Sequence, residues 1–129
     1  MGRVFKTRHF ARWSRKAGLP DDALCDAVSE MIRGLIDADL GGGILKKRVA
    51  LPGRGKSGST RTLVATNKGN RWIFVFGFEK NERANIAASD LEAFQKVATD
   101  LLRLNTQELN ALVETEVLQE ICHGNKNAV

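Results

Sequence analysis

The chain has 129 residues, 43% of them hydrophobic and 27% charged, which is enough for one ordinary globular core and too little for two. No run approaches the roughly 18 apolar residues that a bilayer crossing needs, so a membrane-spanning function is excluded and a cytoplasmic protein is expected. The net charge of +5 is unevenly spread: residues 40 to 78 hold eight Lys or Arg and no acid, whereas residues 21 to 39 hold six acids and one base. Cations without acids nearby in sequence predict a positive surface that attracts a polyanion such as RNA, with a plain solvated face as the alternative.

Met1 to Lys16 is basic but lacks the apolar stretch of a secretory signal, and Phe5, Phe10 and Trp13 read as core residues. Arg3 to Lys6 is a short extended start. Thr7 then caps a helix with Phe10, Trp13 and Ala17 on one face, and Gly18 ends it. Leu19-Pro20 turns the chain into a second helix that opens on Asp21 or Asp22 and buries Leu24, Ala27, Val28, Met31, Ile32 and Leu35. Cys25 lies on the same face. It and Cys122 match no zinc spacing, and both are expected to be free thiols in a reducing compartment.

Gly41-Gly42-Gly43 breaks the helical pattern, and Ile44 to Leu51 begins a β-meander whose later strands are Thr60 to Thr66 and Arg71 to Phe78. Ser89-Asp90-Leu91-Glu92 has the capping-box spacing for a helix with Leu91, Phe94, Val97, Ala98, Leu101 and Leu102 on one face. Thr106 caps a shorter segment, residues 105 to 129 extend beyond the compact core, and the tail after about 123 is expected to fray. The predicted architecture is a single α+β domain over residues 1 to 129: a small antiparallel sheet of three to four strands, packed against two N-terminal helices and a C-terminal helix, with a basic patch on its open face.

Ala50 to Ser57 fits a relaxed phosphate-loop pattern, but the chain after it continues as a strand rather than a helix, so nucleotide hydrolysis is set aside. The same loop suits RNA phosphates: its glycines permit close approach, and Arg54 and Lys56 supply charge-assisted hydrogen bonds. By strand alternation Lys46 and Arg48 share one face and Lys47 takes the other. Arg61 opens the next strand and Lys80 follows the third, so a meander can gather Arg48, Lys56, Arg61 and Lys80 on one patch. The alternative is a basic edge that blocks strand aggregation. Trp13 and Trp72 read as core residues rather than base platforms, and His9, His123 and Glu82 as solvated or structural groups.

Three segments in this order resemble the RelE/ParE toxin superfamily, in particular its HigB-like branch. They are Ile-Leu-Lys-Lys-Arg-Val-Ala from Ile44, Gly-Arg-Gly-Lys-Ser-Gly-Ser-Thr-Arg-Thr-Leu from Gly53, and Phe-Gly-Phe-Glu-Lys-Asn-Glu-Arg-Ala-Asn-Ile from Phe76. The likeness covers about residues 4 to 104. It implies a toxin of a type II toxin-antitoxin system that cuts mRNA on the ribosome without a metal or other cofactor, using the ribose 2′-OH as nucleophile. It also implies a cognate antitoxin, expected to be of the helix-turn-helix type. Under the resemblance Arg61, Lys80 and Lys56 carry catalysis, and Lys46, Lys47, Arg48 and Arg54 bind RNA. Family members often place a Tyr or His near the end of the sheet as the acid-base group; this chain has no tyrosine and Phe78 stands at that place, so the general base stays open between Lys56, Lys80 and activation by orientation. Two rivals remain: a non-cutting RNA or ribosome binder on the same fold, and a ParE-like gyrase poison.

Overall fold

The computed structural model describes residues 2–53, 59–80 and 85–122. In chain order the elements are β1 (Arg3–Thr7), α1 (Arg8–Ala17), α2 (Asp21–Ile32), β2 (Ala38–Gly41), β3 (Ile44–Ala50), β4 (Ser59–Thr66), β5 (Arg71–Glu79), α3 (Ala88–Arg103), α4 (Thr106–Glu114) and β6 (Leu118–Ile121). The strands form one sheet in the order β2-β3-β4-β5-β1-β6. This corrects the expected three- or four-stranded antiparallel sheet in two ways. Among the described residues it has six strands, and β1 pairs parallel to β5, with Arg3 opposite Arg71 and Lys6 opposite Phe74.

Both faces of the sheet are packed. On one, Val4, Leu45, Val64, Trp72 and Phe74 meet Phe10 of α1 and Leu24, Val28 and Met31 of α2. On the other, Phe5, Ile44, Leu63, Ala65 and Ile73 meet Ala98 of α3 and Leu109 of α4. Val4, Phe5 and Lys6 of β1 are therefore buried in succession, as expected of a strand covered on both sides, and it lacks the alternation that marks a half-exposed one. The segment expected to extend beyond the core completes it: Leu118 and Ile121 of β6 are buried, and β6 pairs antiparallel with β1. Arg3 clamps that pairing with two hydrogen bonds, of 2.9 and 2.8 Å, to the carboxylate of Glu120, which raises the Arg3 pKa above its ordinary value.

Helix ends follow local chemistry, with two shifts from expectation. Thr7 accepts from the Phe10 amide and Gly18 adopts the left-handed conformation that stops α1, both as expected. The capping box, however, belongs to α4: Asn105 and Glu108 bond reciprocally, one residue before Thr106, while α3 starts after Ala87 with no side-chain cap. Ile32, Leu35 and Val97, expected inside, are exposed, because α2 ends at Ile32 and Val97 turns away from the contact made by Ala98. The expectation of two free thiols is also corrected. Cys25 on α2 and Cys122 just beyond β6 form a disulfide, 97 residues apart in sequence.

Candidate functional site

The ends of β3, β4 and β5 build the site. Leu45, Val49 and Leu51 point to the α1–α2 side while Ile44 points to the α3 side, so alternation puts Lys46 and Arg48 on the α3 side and Lys47 opposite. The register places Arg48 directly across from Arg61, and Arg61 directly across from Phe78. Directly opposed residues of an antiparallel pair share a face, so one row of side chains runs Arg48, Arg61, Phe78 across three strands. Beneath that row the sheet is stitched by threonines: buried Thr60 and Thr62 donate hydroxyl hydrogen bonds to the Val49 and Lys47 carbonyls, at 3.0 and 2.8 Å.

The two arginines are held differently. Asp37 accepts from the Arg48 amide at 2.6 Å and from its Nε at 3.2 Å, so Arg48 is exposed but has a counter-ion. Arg61 is half-buried and leans on neutral acceptors only, the backbone oxygen and hydroxyl of Ser59. Among the described residues it makes no ion pair. Within that set its charge has no counter-ion, an arrangement that an incoming anion would relieve. Lys80 is exposed, two residues past Phe78, and Lys46 is half-buried, two residues before Arg48.

Lys47 does not join them. It is buried against α2, where Nζ meets Glu30 at 2.7 Å and donates to the Leu35 carbonyl at 2.9 Å, so its place is in the core wall and not on an RNA-facing surface. Arg54 and Lys56, along with Glu82 and His123, lie outside the described residues. The idea that cations of residues 40 to 78 lack internal partners is corrected as well. Lys47, Arg48 and Lys68 pair with Glu30, Asp37 and Asp39, all from the acidic stretch before them. Arg71 caps the end of α3 through the Leu101 and Leu104 carbonyls. Among the described residues, the other cations of this stretch, Lys46 and Arg61, are left without an ion pair.

Aromatic rings continue from the row along β5. Phe76 packs against Phe78 at 6.1 Å between ring centroids and against Phe94 of α3 at 4.8 Å, and the exposed His9 of α1 stacks on Phe76 at 5.8 Å with the rings 3° from parallel. Sequence reasoning set His9 aside; its neighbour Phe76 is remote in sequence, and only the parallel placement of β1 beside β5 brings them together. Trp72 is buried, as expected, and Trp13 lies over Gly77 in the α1 contact.

A family model described as the RelE toxin of the RelE / RelB toxin-antitoxin system matches residues 2–121. The chain belongs to the RelE toxin family. It is therefore a toxin of a toxin-antitoxin system, and its partner is an antitoxin. No curated protein matches the chain. The RelE match takes in α4 and β6 as well as the meander, in keeping with the buried positions of Leu109, Leu118 and Ile121. Among the described residues no helix is long and apolar enough to cross a membrane.

Proposed function

We propose that this RelE toxin is an endoribonuclease that cuts mRNA in the ribosomal A site, as a HigB-like member of its family, and that the antitoxin, of helix-turn-helix type, silences it by covering the Arg61 row. The observation that carries this reading is Arg61 itself: a half-buried guanidinium with no carboxylate partner among the described residues, set across the strand from Arg48. Phosphoryl transfer needs little covalent chemistry from a protein and rewards fixed cations where charge accumulates on the phosphoryl oxygens. Arg48 and Lys46 bind and orient the RNA backbone, together with Arg54 and Lys56, which follow β3 in sequence. Arg61 stabilises the pentavalent transition state. The ribose 2′-oxygen forms a bond to phosphorus as the bond to the 5′-oxygen breaks, leaving a 2′,3′-cyclic phosphate and a free 5′-hydroxyl. Lys80, with Lys56, serves the proton transfers, the 2′-hydroxyl giving up a proton and the departing 5′-oxygen taking one.

Phe78 supplies no acid-base group at the place where relatives often carry one, which favours a second reading, an RNA or ribosome binder that blocks translation without cutting. Mapping of mRNA 5′ ends after induced expression separates the two. The nuclease reading expects new, clustered 5′ ends that fall roughly 100- to 1,000-fold in Arg61→Ala, the usual cost of removing a transition-state donor. Arrested translation with intact messages establishes the binder instead.

A further inference from the structure

We propose that His9 is a base-stacking residue of this site, holding the nucleobase next to the phosphate that Arg61 receives. The inference rests on the RNA-cutting reading above. His9 occupies the first turn of α1, and because β1 runs parallel to β5 and ends beside it, the imidazole lies flat on Phe76 while remaining exposed. Phe76 is fixed from two further sides, by Phe94 and Phe78, so the imidazole rests on a rigid aromatic base. An exposed flat ring near cations is what single-stranded nucleic acids use, the phosphate on the cation and the base on the ring. Distance decides between stacking and proton transfer. Phe76 is two residues from Phe78, about 7 Å along a strand, and the Arg61 guanidinium turns toward Ser59, away from Leu63, the residue opposite Phe76. The imidazole is therefore well beyond the ~3 Å needed to move a proton at that phosphate, but one nucleotide away is within the span of the row.

The test is 5′-end mapping after induced expression of the parent, His9→Ala, His9→Trp and Arg61→Ala. His9 is exposed, so replacing it leaves the core intact. The expected result is that His9→Ala reduces cutting about 10-fold, in the range for losing one base–aromatic stack, and flattens the preference for the nucleotide beside the cut, while His9→Trp retains both. Cutting by His9→Ala that equals the parent overturns the proposal. So does a His9→Trp protein as impaired as His9→Ala, since imidazole chemistry rather than a flat ring would then be what matters. If the parent leaves messages uncut, the RNA-cutting reading fails and the stacking role goes with it. If Arg61→Ala abolishes cutting while His9→Ala does not alter it, only the stacking role is lost.

Discussion

Lys47 and Arg48 are neighbours on β3, and a single step of strand alternation separates a buried structural ion pair from an exposed cation in the candidate site. Which lysine or arginine meets RNA is therefore decided by where carboxylates sit in space. The acids of residues 21 to 39 reach back over the strands and neutralise cations that look unpaired in sequence. Asp39 is one such group. The hydrogen bond from Lys68, at 2.8 Å, and that from the Gly41 amide hold its carboxyl below the ordinary aspartate range. A carboxyl with a lowered folded-state pKa stabilises the fold above its unfolded pKa and loses that contribution as pH falls through the folded value. Thermal melts of the parent and Asp39→Asn are thus expected to differ at pH 7, with the parent more stable, and to converge in acid. A difference that persists or grows at low pH refutes this account of the β2–β3 turn.

At the scale of elements, Gly77 shows how closely α1 is seated. A Cβ at this position would run into the Trp13 ring, so the helix lies directly on the backbone of β5. Gly77→Ala must push the indole aside, and overpacking of this kind costs about 1–3 kcal/mol; a urea midpoint unchanged from the parent would show that the helix has slack. α1, α2, the three strands of the meander and α3 were legible in sequence because each is long enough to display its period. β2 and β6 were not. Each has four residues, too few to establish a period, and the signal for β2 lay in Gly41 to Gly43, which read as a helix breaker although Gly-Gly also closes tight hairpins. All three glycines have positive φ, and a Cβ on Gly42 would meet the Gln95 side chain of α3. The Arg48, Arg61 and Phe78 row was legible in part, because period-2 alternation fixes faces. Its register was not, since pairing depends on the Asn67 to Asn70 turn and on a bulge at Leu63 and Val64.

For the molecule as a whole, the Cys25–Cys122 disulfide ties α2 to the end of β6. Its two cysteines looked unrelated because the edge strand that delivers Cys122 was not foreseen. Closing a loop of about 100 residues removes chain entropy worth up to about 4.7 kcal/mol from the unfolded state. Thiol reductant, or the paired change Cys25→Ser with Cys122→Ser, is expected to lower stability by about 2–5 kcal/mol, read as a drop in the denaturant midpoint at constant slope. An unaltered midpoint would mean that strand pairing alone holds that edge. β1 is flanked by β5 and by β6, which follows it by more than 100 residues in sequence. A nascent chain therefore carries β1 unpaired on its β6 side until residue 118 and its successors have left the ribosomal tunnel. Such long-range closure is slow compared with helix formation. That delay leaves an interval in which an antitoxin already present can meet the toxin before the β1–β6 edge is closed.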